Sequence, residues 1–306
     1  MVFDYVQAAS SLQCATTCHG GVNCTGFIYC SINNRCSILT SDKPSGPVSV
    51  PYPTCKAFSN VTTSRQTSPS CLNGGTPDGA VCLCTPAFTG GNCETRMEDC
   101  TDVYLYVGNS TGTYTVWPTK AARPFDLECD NVTVKIMFRD RTISGCEAEI
   151  VTYLDVPWVD YKYGFTHSNC YMWLGLEKMH ALTSVRPNKL FIFVTANITS
   201  GQVSYSAFSV GNESSEYRLS VSGFTGDGVF GDLFNLKDPV RTLDGSHFCA
   251  KDRCANNPCA VFYGGAWWSR LDACLSNPHY SLGVNFCPPC DDNHECKSIY
   301  MLIGPA

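Results

Sequence analysis

Apolar and polar residues alternate in short stretches, and turn-forming clusters separate them. YTVW (114–117) and KLFIFV (189–194) carry the β-branched and aromatic residues of strands. GLEKMHALT (175–183) has the spacing of a short helix. SSLQCATTC (10–18) predicts another, capped by Ser10 or Ser11, with Cys14 and Cys18 one turn apart on one face. CTGFIYCSINNRCSIL (24–39) reads as two strands around an SINN turn. SNVTTSRQTSPS (59–70) is uncharged but for Arg65 and reads as an exposed linker. Helices and strands mix along the sequence, which predicts an α+β fold in more than one module.

Cysteine content changes this picture most. There are 21 cysteines in 306 residues, which implies disulfides in an oxidising compartment. Sequons at Asn23, Asn60, Asn109, Asn131, Asn197 and Asn212 agree with a secreted glycoprotein. The opening MVFDYVQAASSLQC lacks the basic start and apolar core of a signal peptide, so the expectation is a fragment or a missing true start. No run of about 20 apolar residues follows, so no bilayer span is predicted. The net charge is −6 without a Lys/Arg cluster, which gives nucleic acid no electrostatic footprint.

The cysteines fall in groups at 14–55, 71–93, 100–170 and 249–296. In the first, Cys14-x3-Cys18, Cys24-x2-Phe27 and Cys36-Ser37-Ile38-Leu39 resemble the PAN/apple family. That resemblance implies a module over residues 1–58, N-terminally truncated, that binds proteins or sugars. It pairs Cys14 with Cys36 and Cys18 with Cys24, and leaves Cys30 and Cys55 as a further pair. After the linker (59–69), CLNGGTPDGAVCLCTPAFTGGNCE (71–94) resembles an EGF module spanning 70–96. Both partners of one family bridge are missing, so Cys71–Cys82 and Cys84–Cys93 are the bridges implied. No acidic lead-in suits calcium there, and a short stapled spacer is its expected role.

Residues 97–306 are long enough for a sizeable core. EDCTDVY, GTYTVWP, FDLEC, WVDYKYGF, WLGLEKMHALT, GGAWW and the closing CKSIYMLIGPA occur in the order of the fibrinogen C-terminal-like family, which this segment strongly resembles. The resemblance implies Cys100–Cys129 and Cys259–Cys274. Cys146 and Cys170 have no family counterpart, and a bridge between them is one option. Cys249, Cys254, Cys287, Cys290 and Cys296 are also extra, and five cannot all pair among themselves. Free thiol, interchain bridge and a link to a missing segment stay open. Trp158, Trp173, Trp267 and Trp268 are expected in the core rather than stacked on sugars.

The family's calcium loop is a run of alternating acidic residues after Phe-Ser-Thr. The equivalent run here is FNLKDPVRTLDGS, where Asp238 matches the first aspartate but Val240 stands at the second. Calcium takes roughly six to eight oxygens. Asp238 and Asp244 beside Lys237 and Arg241 are therefore expected to make a weak site, or a polar surface loop without an ion. Many family members bind acetylated groups beside a Cys-His pair. Here Leu275 replaces that histidine, and the candidate ligand contacts are Tyr263, Leu275, His279 and Tyr280. VNFCPPCDDNHEC (284–296) removes the family's aromatic walls, so any ligand surface is expected to be remodelled and disulfide-stapled over 249–296. Disulfides are expected to prevail over zinc at Cys287, Cys290, His294 and Cys296. His180 sits in the short predicted helix and is expected to be structural.

No G-x-S-x-G, H-E-x-x-H or Walker loop is present, and the six histidines are scattered, so no catalytic residue is nominated. The resemblance implies a secreted recognition or adhesion glycoprotein of lectin-like ancestry. Its expected partners are glycans or extracellular proteins, in innate recognition or cell contact. The alternative is a structural matrix component, cross-linked into an oligomer through disulfides and without lectin activity.

Overall fold

A computed structural model describes residues 5–7, 10–19, 24–31, 34–40, 55–59, 69–78, 81–108, 111–146, 154–196, 199–228, 231–234, 242–253, 266–269 and 296–306. The chain divides into two compact units. One comprises Met1–Thr95 with Asp102–Asn109, and the other Arg96–Thr101 with Ser110–Ala306.

The first unit opens with β1 (Tyr5–Gln7), α1 (Ser11–His19), β2 (Cys24–Cys30), β3 (Arg35–Thr40) and β4 (Cys55–Ser59). The strands pair antiparallel in the order β1-β3-β2-β4. Ser10 Oγ accepts the Gln13 N–H at 3.2 Å and so caps α1. Cys14 and Cys18 then face Phe27 and Cys36 in a small buried cluster. Cys14–Cys36 ties the helix to β3, Cys18–Cys24 ties it to β2, and Cys30–Cys55 joins β2 to β4. So little apolar area needs staples, because a core of this size cannot offset chain entropy alone. β5 (Thr76–Asp78), β6 (Val81–Leu83), β7 (Phe88–Thr89) and β8 (Thr95–Arg96) follow as two short hairpins, bridged by Cys71–Cys82 and Cys84–Cys93.

α2 (Cys100–Val107) lies at the boundary, and its residues from Asp102 group with the first unit. The second unit continues with β9 (Thr111–Val116), β10 (Phe125–Asp130), β11 (Thr133–Asp140), α3 (Trp158–Tyr163), β12 (Phe165–His167), β13 (Tyr171–Trp173) and α4 (Leu176–Thr183). It closes with β14 (Asn188–Ala196), β15 (Ser200–Val210), β16 (Leu219–Gly226), β17 (His247–Cys249), β18 (Trp267–Ser269) and β19 (Cys296–Pro305). Among the described residues the main sheet runs β12-β13-β11-β19-β14-β15-β16, and β10 and β9 extend from β11. The last strand in sequence thus lies between β11 and β14, at the centre of the sheet.

The alternation in KLFIFV explains β14. Leu190, Ile192 and Val194 are buried, while Phe191 and Phe193 face the other way. Each buried side chain of this size contributes about 1.5–3 kcal/mol. Met301 and Ile303 of β19 and Val203 and Tyr205 of β15 extend the same buried face. α4 is held to β15 by His180, whose Nδ1 lies 2.9 Å from the Val210 carbonyl, as a structural histidine does. Gly164 and Gly175, from the motifs around α3 and α4, pack backbone to backbone. A Cβ on Gly164 would stand 2.3 Å from the Leu174 oxygen, and one on Gly175 2.6 Å from the Tyr163 carbonyl carbon. Cys100–Cys129 and Cys146–Cys170 staple this unit, so the second bridge is made without a family counterpart. Among the described residues, no helix is long and apolar enough to cross a membrane.

Candidate functional site

The site-bearing end of the second unit is built on aromatic side chains. Trp173 lies within 6.1 Å, centroid to centroid, of Tyr161, Phe248, Trp267 and Trp268. All of these rings are buried. Trp173 Nε1 donates to the Tyr161 carbonyl and Trp268 Nε1 to the Tyr217 carbonyl, each at 2.8 Å. These two tryptophans are therefore core, with their polar edges satisfied. Tyr161 reaches further: its hydroxyl donates to Leu154 O at 2.7 Å and accepts the Ala266 N–H at 3.2 Å. Burial pushes its pKa well up.

This base fixes a hairpin. β17 and β18 pair Phe248 with Trp268 and Cys249 with Trp267. The two ends of the segment 250–266 are therefore held side by side. Cys249 is disulfide-bonded.

Residues 251–253 follow β17 directly, and each is tethered. Lys251 Nζ lies 3.0 Å from Asp155 Oδ2 and donates to the Asp155 carbonyl at 2.6 Å. Asp252 accepts the Trp158 N–H at 2.9 Å, which satisfies a free donor at the start of α3. Arg253 places its guanidinium 4.2 Å over the Trp158 ring and donates to Glu213 at 2.8 Å. Lys162 donates to the other oxygen of Glu213 at 2.7 Å. Lys162 first, and Arg253 next, pull the Glu213 carboxyl down to about 2.

The candidate ion loop begins nearby. Its base is closed by the Leu243 N–H, which donates to Phe234 O at 2.7 Å. On the upstream side, the Tyr205 hydroxyl donates to Asp232 at 2.8 Å and accepts the Leu233 and Phe234 N–H groups at 2.8 and 3.3 Å. Burial, then the Asp232 charge, raises the Tyr205 pKa far above its ordinary value. On the downstream side, Asp244 Oδ1 accepts the Val221 N–H at 2.8 Å, and Ser246 and Gly245 pair with Leu219. Asp244 therefore anchors backbone along β16. The oxygen it has left is one donor of the roughly six to eight that calcium takes. The described residues do not assemble a calcium shell, and no group of three or more His, Cys, Asp or Glu among them is placed to hold a metal.

Of the residues nominated from sequence, Asp238, Tyr263, Leu275, His279, Tyr280, His294, Cys254, Cys259, Cys274, Cys287 and Cys290 lie outside the described residues. So do the sequons Asn23, Asn60, Asn109 and Asn197. Asn131 is exposed in the β10–β11 turn with φ +53°. Asn212 caps the 3₁₀ turn Glu213–Ser215 through its side-chain oxygen. Sequence reasoning missed the Glu213–Lys162–Arg253 cluster and the Tyr205–Asp232 anchor. Their members are separated by 51, 40 and 27 positions, and no short motif encodes them.

Three comparisons bear on this architecture. Residues 96–284 match the family model of fibrinogen beta and gamma chains, C-terminal globular domain. Human fibroleukin is 31% identical over 184 residues, covering 58% of this chain and 40% of fibroleukin. Human angiopoietin-1 is 30% identical over 209 residues, covering 63% of this chain and 38% of its own length. Ryncolin-4 of Cerberus rynchops is 30% identical over 184 residues, covering 58% and 49%. The chain therefore spans under half the length of these relatives. The fibrinogen-like globe domain of human ANGPTL6 shares the fold at a TM-score of 0.53 and 20% identity, covering 72% of this chain and 98% of that one. Lamprey fibrin D-dimer, complexed with the peptide ligand Gly-His-Arg-Pro-amide, gives a TM-score of 0.54 at 25% identity, covering 68% of this chain and 73% of that one.

Proposed function

Because the protein belongs to the family of the C-terminal globular domain of fibrinogen beta and gamma chains, we propose that it is a secreted recognition or adhesion glycoprotein that binds extracellular ligands through that domain. The observation that carries this reading is the β17–β18 hairpin on its buried tryptophan base. It holds the ends of 250–266, while the three tethered side chains of 251–253 fix the direction in which the segment leaves. Rigid elements presenting variable segments are how folds of many kinds acquire binding sites. The ligand surface of this reading spans 249–296 and includes Tyr263, Leu275, His279 and Tyr280. A peptide or protein ligand is favoured over an acetylated sugar, since Leu275 stands in the family's histidine position. Peptide binding by the lamprey relative supports that preference. Calcium contributes weakly at most, through Asp238 and the free oxygen of Asp244. The protein binds rather than catalyses, and its partners include neither nucleic acid nor a spanned membrane.

In the first unit, residues 1–58 act as a PAN/apple-like contact module and 70–96 as an EGF-like spacer. The disulfide pairs there support that division. The test is binding of purified, glycosylated protein to arrays of acetylated glycans, plain glycans and extracellular proteins, with calcium and then with chelator. Binding to proteins that survives chelation and is lost in Arg253→Ala is expected. Calcium-dependent binding to acetylated glycans would overturn the ligand preference. No binding in any arm, with a disulfide ladder on non-reducing gels, would replace recognition by matrix assembly.

A further inference from the structure

The Glu213 carboxylate meets three donors from two segments far from it in sequence. Arg253 Nη1 donates to Oε1 at 2.8 Å, Trp158 Nε1 to the same oxygen at 3.4 Å, and Lys162 Nζ to Oε2 at 2.7 Å. Trp158 and Lys162 stand one turn apart on α3, so one side of the helix presents both. All four residues belong to the second unit.

The donors are positioned without help from Glu213. Trp158 is buried against Tyr217 and Phe248, with ring centroids 5.6 and 6.0 Å away. Its backbone N–H donates to Asp252, which commits that carboxylate to the start of α3. Arg253 lies on the Trp158 ring, 4.2 Å from its centroid. The turn that carries Glu213 is likewise held without the Glu213 side chain. Asn212 Oδ1 accepts the Ser215 N–H, and backbone bonds run from Ser215 to Asn212 and from Glu216 to Glu213. The carboxylate can therefore swing away by rotation about its own side-chain bonds, with the turn and the donors left in place.

Water reaches this contact. The Glu213 and Arg253 side chains are 36% and 39% exposed. Solvent screens an ion pair of this kind, so the attraction that holds Glu213 is modest. The arrangement of charged donors around two oxygens is nonetheless specific for a carboxylate. A carboxylate from outside can take the same three donors.

We propose that Trp158, Lys162 and Arg253 form a receptor for a carboxylate side chain of an acidic peptide segment, and that Glu213 is its built-in competitor. The proposal rests on the recognition reading above and names the ligand chemistry at the root of its binding segment. An acidic peptide fits better than an acidic sugar. Arg253 covers the Trp158 face on which a pyranose ring would stack. Val159 and Tyr163, exposed on α3 beside Trp158 and Lys162, offer apolar contact to the peptide around its carboxylate.

The test is fluorescence anisotropy of labelled hexaglutamate on the full glycosylated protein, with labelled hexaglutamine and sialyllactose as comparison probes. Glu213→Ala should bind hexaglutamate about tenfold more tightly than the parent, the gain expected when a site open about a tenth of the time is freed. Adding Arg253→Ala or Lys162→Ala should remove the gain, and raised salt should weaken the binding. Glu128→Ala removes the same charge and frees Lys135, and should leave the affinity at the parent's value. Melting curves establish folding, and Glu213→Gln, which keeps the side-chain volume, should show the gain in its own right. Folded Glu213 variants with the parent's affinity would overturn the proposal. So would a gain that survives Arg253→Ala, that appears in Glu128→Ala or that hexaglutamine shares. Sialyllactose bound in place of hexaglutamate would overturn the peptide as ligand. A parent that binds extracellular proteins on the array, while the Glu213 variants gain nothing, would sink this inference alone. Parent and variants that bind neither protein nor peptide would sink the recognition reading with it.

Discussion

Glu213 has the most distinctive electrostatics in the described part of the molecule. Two cations share its carboxylate, and its pKa is lowered from 4.5 to about 2. A depressed carboxyl stabilises the fold above its unfolded value, and that stabilisation is lost as pH falls through the folded value. Its contribution should therefore fade between about pH 4.5 and 2 and be complete at neutral pH. Denaturant unfolding of Glu213→Gln between pH 7 and 2 measures this. The variant should be the less stable form at pH 6 and converge with the parent near pH 2, and parallel curves would refute the assignment. Tyr205 makes a different prediction. Its one hydroxyl serves Asp232, Leu233 and Phe234. Tyr205→Phe keeps the ring but strands the Leu233 N–H, while the Phe234 N–H keeps Asp232 Oδ1 at 3.1 Å, at a cost of about 1–3 kcal/mol. A midpoint shift in urea without a change in slope checks it.

At the scale of elements, β16 shows how an edge is managed. Asp244, Gly245 and Ser246 cover the first half of the strand by pairing with Leu219 and Val221. An uncovered edge of this kind invites pairing with another polypeptide. Asp244→Ala should increase amide exchange at Val221 while leaving β15 protected, and unchanged exchange would show that the carboxylate is dispensable. The Cys146–Cys170 bridge spans 24 residues and encloses α3. Replacing both cysteines by serine should lower stability by about 3 kcal/mol on the loop-entropy argument. Elements with strong local signals were legible from sequence. β14 follows from the alternation of Leu190, Ile192 and Val194, and α1 from the Ser10 cap and the cysteines one turn apart. The central position of β19 was not legible, because pairing across more than 100 residues leaves no local trace.

For the whole molecule, the legibility of the site was uneven for a physical reason. The buried tryptophans sit in short motifs, so their core role followed from the resemblance. The anchoring role of Asp244 was not legible, because a sequence shows a carboxylate but not the backbone N–H it serves. Glu213, Lys162 and Arg253 meet only after folding, and none stands out at its place in the sequence. Cys146 and Cys170 were left open in the same way, since a pairing is a property of the fold and not of spacing.

The hydrogen bond from Leu243 to Phe234 has an evolutionary consequence. It fastens both ends of residues 235–242 to the body of the domain, independently of what lies between them. The residues between those ends are then free to vary along a lineage without refolding their neighbours. A few substitutions should be enough to test this: Val240→Asp with Arg241→Asn restores the alternating carboxylates and removes one cation. That variant should show a larger calcium-dependent rise in Tm than the parent, with its melting in chelator unchanged. What a descendant discards at such a place, its own descendants can recover one codon at a time.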